Sequence, residues 1–217
     1  MADQTDERTK RTTATMKMFA GIDFGKVTSC GIIAVSDGVA HVVDTMQVVL
    51  DDAEPTVRRT KKAPGSKRRK PVRATPDQIA KRLVRLDDFL ELVLTSWQLE
   101  LVGLETPPGV KDQQVFQQLS MYYGLAMARI AKVGVQFKPM TVNEWRKFIG
   151  IRGAPPSGWK KPQRTEMVKR TVVRAVNRST GSTFENKDHD RADSAGIALA
   201  AAVVKGAYNE PDEIWYA

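Results

Sequence analysis

The chain has 217 residues, of which 41% are hydrophobic and 27% charged, a composition that is ordinary for one globular domain. Its longest apolar run, at residues 195–204, is ten residues long, whereas a membrane-spanning helix needs about 20, so no transmembrane segment is predicted. One cysteine, Cys30, and the lack of a Cys/His cluster with metal spacing argue against disulfides and structural zinc and favour the reducing cytoplasm.

The first elements along the chain are predicted strands. Residues 1–17 are charged and Thr-rich without an apolar signal region, which predicts a disordered N-terminal tail. Residues 19–35 have the pattern of a strand, a tight glycine-containing turn and a second strand. A third strand at 40–50 follows Asp37-Gly38, a dipeptide typical of hairpin turns. The opening is therefore predicted to be antiparallel.

A basic segment comes next, at residues 58–73, with nine basic residues and no acidic one. The chain has 34 basic and 25 acidic residues, so these nine account for its whole net charge of +9. Pro64, Gly65 and Pro71 and the lack of apolar residues predict a mobile loop that binds nucleic-acid phosphates. A solvated loop or a localisation signal is the alternative. The predicted DNA-binding residues are Arg58, Arg59, Lys61, Lys62, Lys67, Arg68, Arg69, Lys70 and Arg73.

Helices and strands alternate in the rest of the chain. Thr75-Pro76-Asp77-Gln78 is a capping box with proline at the first helical position, and a second capping box begins at Thr141. The predicted ranges are a helix at 76–97, a strand at 99–105, a helix at 112–132, a strand at 135–138, a short helix from 141, a Gly/Pro-rich loop at 150–161, and helices at 162–177 and 190–205. This order predicts an α/β fold, a mixed sheet of antiparallel and parallel strands flanked by helices.

Four carboxylates lie where such folds place their chemistry. Asp23 and Glu105 end predicted strands, and Asp190 and Asp193 begin the last helix three residues apart, on one helical face. Each has a structural interpretation alone, as a turn residue, a strand-end acid or an N-cap. Together they predict a converging cluster, which cations must neutralise. All-oxygen ligands suit Mg²⁺, and paired metal ions serve phosphodiester cleavage.

The motifs around these carboxylates resemble the RuvC family of Holliday-junction resolvases, a branch of the ribonuclease H-like nucleases. The family's opening strand resembles residues 21–25 (GIDFG), and its second acidic strand resembles residues 101–105 (LVGLE). Its closing DxxDA helix resembles residues 190–198 (DRADSAGIA), and Lys161 matches the register of the family's basic residue. The resemblance runs in order from about 19 to 205.

The resemblance implies a ribonuclease H-like domain at 18–206 with a basic loop insertion at 51–74, between an N-terminal tail at 1–17 and a C-terminal tail at 207–217. It implies that the four carboxylates hold two Mg²⁺ ions, for which Mn²⁺ substitutes, and that Lys161 steadies the scissile phosphate. The implied activity is that of a homodimer that nicks two opposed strands of a four-way junction in recombination and repair, leaving 5′-phosphate and 3′-hydroxyl ends.

Several alternatives remain open. Lys160 could replace Lys161, and His189 could assist the attacking water. Phe24 stands where bacterial members of the family usually have proline. The basic loop is an addition that favours broad binding of branched DNA. An expanded chain of this kind resembles phage-encoded members of the family. Trp145 and Trp159 could stack on bases, although core or loop anchoring is favoured. The functional alternatives are a nuclease of hybrids or flaps, an idle branched-DNA-binding protein, and an actin-like or sugar-kinase-like ATPase with a related first phosphate loop.

Overall fold

The structure, a computed structural model, describes residues 15–50, 74–109 and 112–216. The predicted basic loop insertion at 51–74, except for residue 74, lies outside the described residues, as do residues 1–14 of the predicted N-terminal tail. The elements are β1 (Lys17–Asp23), β2 (Val27–Ser36), β3 (Val39–Val49), α1 (Pro76–Ser96), β4 (Leu99–Glu105), α2 (Gln113–Val133), β5 (Phe137–Met140), α3 (Val142–Phe148), β6 (Ile151–Arg152), α4 (Lys161–Thr180), a 3₁₀ turn (Asn186–Asp188), α5 (His189–Val204) and β7 (Ile214–Trp215).

Five strands form one mixed sheet in the order β3-β2-β1-β4-β5. β1, β2 and β3 pair antiparallel, whereas β4 pairs parallel with both β1 and β5. The β2–β3 turn has positive φ angles of 53° at Asp37 and 74° at Gly38, as a two-residue hairpin turn requires. The predicted mixed sheet flanked by helices is confirmed.

Helices cover both faces of this sheet. α1 and α2 bury residues such as Leu90, Tyr122 and Ile130 against one face. α5 lies on the other face, with α3 and α4 packed around it, and Trp145 is fully buried there. The capping boxes predicted at Thr75 and Thr141 are both formed, because each needs only contacts within one helical turn.

A row of three glycines lets α5 lie unusually close to the sheet. Gly31, Gly21 and Gly103 are direct neighbours on β2, β1 and β4. A Cβ atom at Gly21 would lie 2.2 Å from the backbone nitrogen of Ala198, and one at Gly31 would lie 2.5 Å from that of Ala195. Side chains are excluded from this row, so the strands and the helix touch through their backbones. The position of α5 is thereby fixed.

The end of the chain packs against the α3–α4 side of the fold. The sequence predicts a C-terminal tail at 207–217. In the structure, Ile214–Trp215 of this segment form β7, which pairs with β6 in a separate two-stranded sheet. Arg152 holds this segment through ion pairs with Glu210 and Glu213 and also donates to the carbonyl of Lys147 in α3. Among the described residues, no helix is long and apolar enough to span a membrane.

Candidate active site

Asp23 and Glu105 are adjacent at the carboxyl ends of two parallel strands. Gly21 of β1 lies opposite Gly103 of β4, and both glycines face α5. Because side chains alternate along a strand, Asp23 and Glu105, two residues further on, project from the same face. Both carboxylates therefore lie on the side of the sheet that α5 covers.

The first turn of α5 brings Asp190 and Asp193 to this same edge. The glycine row fixes the middle of the helix, so its N-terminal turn extends toward the strand ends. The hydroxyl of Ser29, which lies opposite Asp23 in the β1–β2 register, donates to the backbone carbonyl of Asp190 at 2.8 Å. The first turn of α5 therefore lies beside the strand end that carries Asp23.

The pKa values of Asp23 and Asp193 respond to burial and to the neighbouring carboxylates. Burial raises the pKa of Asp23 well above its usual range, and the negative charges of Glu105, Asp193 and Asp190 raise it further. Burial likewise raises the pKa of Asp193 to about 7 against the opposing effect of Arg146, and it raises that of Glu105. Without a cation, the folded protein thus disfavours full ionisation of the cluster.

The oxygen atoms of the four carboxylates suit a hard divalent cation, but the side chains are not arranged around a common metal position. Within residues 15–50, 74–109 and 112–216, no three Asp, Glu, His or Cys side chains already lie close enough together to hold a metal ion. The four carboxylates supply oxygen donors alone, which is the preference of Mg²⁺. A cation would also offset the burial and the neighbouring negative charges that raise the pKa values of Asp23 and Asp193, and the side chains would have to draw together around it.

Two consecutive residues of α3 contact the cluster, and the second was not predicted. The indole Nε1–H of Trp145, which is fully buried, donates to Glu105 Oε2 at 2.8 Å, so Trp145 is a core residue and not a base-stacking one. The guanidinium of Arg146 lies 5.1 Å from the Trp145 ring centre, and its charge lowers the pKa values of Asp23, Glu105 and Asp193. The Arg146 Nε is buried and has no hydrogen-bond partner among the described residues.

An open cavity next to Asp193 has four cations among its eight lining residues. Asp193 forms part of its wall together with Arg146 from α3 and with Lys161, Arg164 and Lys169 from α4. Lys161 lines this cavity together with Asp193, whereas its alternative Lys160 does not; the role of Lys161 at a scissile phosphate stays a prediction. Arg146 and Lys169 were missed because their sequence neighbourhoods carry no motif; only the packing of α3 and α4 around α5 brings them here.

His189 lies between a lysine and one of the carboxylates. Its Nε2 atom is 2.7 Å from Lys169 Nζ and 3.0 Å from Asp190 Oδ1. Its Nδ1 atom lies 3.3 Å from the carbonyl of Asn186. If the ring is neutral with its proton on Nδ1, it donates to Asn186 and accepts from Lys169. His189 thereby links Lys169 to Asp190.

Of the remaining residues predicted to contact DNA, the structure describes only some. The nine DNA-binding residues predicted at 58–73 lie outside the described residues. Trp159, in the loop before α4, is 43% exposed, in contrast to the buried Trp145.

Comparison with known proteins rests on the fold. No protein-family model matches the sequence, and no curated protein does. RuvC of Thermus thermophilus, solved in complex with a Holliday-junction substrate, superposes with a TM-score of 0.61 at 16% identity, over 87% of this chain and 96% of that one. The chain has the RuvC fold. A second structure of T. thermophilus RuvC gives a TM-score of 0.58 at 16% identity, over 88% and 97% of the two chains.

The yeast mitochondrial Holliday-junction resolvase Ydc2 is also similar, with a TM-score of 0.48 at 14% identity, over 87% of this chain and 80% of that one. The two T. thermophilus RuvC structures confirm, for the fold, the resemblance that the four sequence motifs indicate. The ribonuclease H-like mixed sheet that it implies is confirmed as well.

Proposed function

We propose that this protein is a metal-dependent endonuclease that resolves four-way and other branched DNA junctions. The observation that supports this most strongly is that Asp23, Glu105, Asp190 and Asp193 meet at one edge of a RuvC fold. A cavity walled by basic side chains opens beside them. Carboxylates on one side and cations on the other are what a phosphodiester substrate and its metal ions require together.

The four carboxylates would hold two Mg²⁺ ions, with Mn²⁺ as a substitute. Bound there, the ions would lower the pKa of the attacking water and stabilise the leaving oxygen. Trp145 orients Glu105 through its hydrogen bond, and Ser29 fixes the backbone of Asp190. These contacts hold two of the ligand-bearing residues in place before any ion binds.

Arg146 and Lys161 would bind the scissile phosphate, since both line the cavity next to Asp193. In the reaction, the oxygen of water bonds to phosphorus while the bond from phosphorus to the 3′ oxygen breaks, and a proton passes to that oxygen. The products are a 5′-phosphate and a 3′-hydroxyl. His189 Nε2 lies 3.0 Å from Asp190 Oδ1, where a neutral imidazole can take up the proton released by the water.

The basic residues from Arg58 to Arg73 would bind DNA phosphates outside the cavity. Such contacts carry affinity without sequence information, which fits a substrate recognised by its branched shape. We further propose that the protein is a phage-encoded enzyme of recombination and repair that acts in the host cytoplasm.

Two symmetric nicks call for two active sites, so we propose a homodimer. α5 is buried against the sheet and is not available as a dimer surface. Leu92 on α1 and Phe116 and Met121 on α2 are exposed apolar residues that a second copy would cover. Light scattering with the full chain tests this: a mass near 48 kDa, twice the 24.1 kDa of one chain, supports the dimer, and a mass near that of one chain contradicts it.

Incubation with labelled DNA tests the activity directly. The substrates are an immobile four-way junction, a matched duplex, a flap and an RNA–DNA hybrid, each with Mg²⁺ or with EDTA. Paired, symmetric, Mg²⁺-dependent nicks in the junction are expected. Cleavage of flaps or hybrids alone would identify a related nuclease instead, and tight junction binding without nicks would identify a binding protein.

The control for this assay is Asp23→Asn, which keeps the size and the hydrogen-bonding shape of the side chain but removes one metal ligand. The variant is expected to bind the junction as the natural protein does and to lose cleavage. Full cleavage by the variant would contradict the assignment of the metal site.

A further inference from the structure

The basic side chains of α4 fall into two groups according to whether the protein itself neutralises them. Arg170 pairs with Glu166 at 3.0 Å, and Arg178 pairs with Asp212 at 2.8 Å. Arg174 donates to the carbonyl of Trp215 at 3.2 Å. These three arginines therefore have acceptors supplied by the fold.

The other group faces the cavity beside Asp193. Lys161 and Arg164 line this cavity, and within the described part of the chain neither side chain forms an ion pair or a hydrogen bond. Arg146 on the opposite wall has a buried Nε without a hydrogen-bond partner among those same residues. The side chains of Lys161 and Arg164 therefore leave donors on the cavity wall that can bind an anionic group.

The spacing along α4 suggests more than one anionic group. Lys161 and Arg164 are three residues apart on one helical face, which places their Cβ atoms about 5–6 Å apart. Thr165, on the same face, adds a hydroxyl to the cavity wall. Arg146 and Lys161 are the residues assigned above to the scissile phosphate, which leaves the guanidinium of Arg164 for a second phosphate.

We propose that Arg164 binds a phosphate next to the scissile one and thereby fixes the register in which a DNA strand crosses the active site. The proposal rests on the proposed function, because it takes the occupant of the cavity to be a DNA strand. A guanidinium suits this role because its fork of donors can grip a phosphate through two hydrogen bonds. Arg164 is thus a substrate-binding residue that positions the reacting phosphate against the carboxylates.

The test compares Arg164→Ala, Arg164→Lys and a matched control, Arg178→Ala, which removes an arginine of the same helix that pairs with Asp212. Junction binding is measured in EDTA over a series of salt concentrations, and single-turnover cleavage is measured in Mg²⁺. Arg164 is exposed, so the alanine variant is expected to fold normally, which thermal unfolding checks.

We expect Arg164→Ala to weaken junction binding about 10- to 100-fold, as for the loss of one charged hydrogen-bonding contact. The slope of log affinity against log salt should become shallower by about one unit, the value for one lost phosphate contact. Single-turnover cleavage at saturating protein should also fall, because the bound strand loses its register. Arg164→Lys should recover most of the affinity and less of the cleavage rate, and Arg178→Ala should match the natural protein.

The two possible failures are distinguishable. If the natural protein binds neither junction nor duplex at low salt, the proposed function fails. If it binds and cleaves the junction while Arg164→Ala keeps its affinity, salt slope and cleavage rate, the assignment of Arg164 is overturned. Equal losses in Arg164→Ala and Arg178→Ala would also overturn it, because the effect would then follow net charge alone.

Discussion

Replacing Gly21 with alanine tests whether the backbone contact between β1 and α5 sets the geometry of the candidate active site. The added Cβ would lie 2.2 Å from both the nitrogen of Ala198 and the carbonyl oxygen of Ser194. Ordinary van der Waals contact begins at 3.4 Å, so helix and strand must separate by about 1.2 Å. Both neighbours are backbone atoms, and no side chain can rotate away to make room.

The expected cost follows from this overlap. Overpacking a core usually costs about 1–3 kcal/mol, and with backbone on both sides we expect the upper end, about 3 kcal/mol. With a urea m-value of about 2 kcal/mol/M, the unfolding midpoint should fall by about 1.5 M. The same shift of α5 moves Asp190 and Asp193 away from the strand ends. A misplacement of about 1 Å can lower a rate about 100-fold, and we expect a loss of cleavage of this order.

Gly124→Ala is the matched control for this change. Gly124 lies inside α2, and no atom lies within 4 Å of the position that its Cβ would occupy. An alanine there should stabilise the protein by about 0.5–1 kcal/mol, because glycine is a poor helix former. The reasoning would be refuted if Gly21→Ala unfolded at the same urea concentration as the natural protein and cleaved the junction at the same rate.

Three further predictions concern the carboxylates and the basic segment. Trp145→Phe keeps an aromatic ring in the core but removes the donor to Glu105. The variant should lose about 1–3 kcal/mol of unfolding free energy and need more Mg²⁺ for half-maximal cleavage. An unchanged Mg²⁺ titration would contradict the positioning role of Trp145. In EDTA, the pKa of Asp193 is about 7 in the folded protein against 3.8 in an unfolded chain, so the folded state binds the proton more tightly. Protonated Asp193 therefore stabilises the fold at low pH. This stabilisation is lost as pH rises from about 4 to about 7. Asp193→Asn should flatten this pH dependence in urea titrations, and a variant with the natural pH profile would contradict it. Deleting residues 58–73 should weaken junction binding and make its affinity less dependent on salt concentration. An unchanged salt dependence would indicate that this segment serves solubility and does not bind DNA.

Local interactions explain why so much of the secondary structure could be predicted. The capping boxes at Thr75 and Thr141 and the Asp37-Gly38 turn each depend on residues within one turn of chain. β5 was predicted at 135–138 but is found at Phe137–Met140. Its four residues carry too little alternation to define a strand, and its position is set by pairing with β4, where Phe137 lies opposite Val102.

Only those residues of the candidate site that stand at the end of a strand or the start of a helix could be predicted from the sequence. The four carboxylates stand at strand ends and at a helix start, so sequence alone could group them. Arg146 gave no such indication, since its relation to Asp23 and Asp193 exists only after α3 packs beside α5. The pairing of β6 with β7 was missed for a similar reason, because each strand has two residues and the partners lie 63 positions apart.

The sequence by itself determined the order of elements, the four carboxylates and the concentration of positive charge at 58–73, because these depend on residue type and on neighbours along the chain. The tertiary structure decided how the carboxylates meet and which cations face them. Those relations rest on contacts between distant segments, such as Ser29 with Asp190, 161 positions apart, and Trp145 with Glu105, 40 positions apart. No local pattern specifies such contacts; they follow from the close approach of α5 to the glycine row and from the packing of α3 and α4 around it.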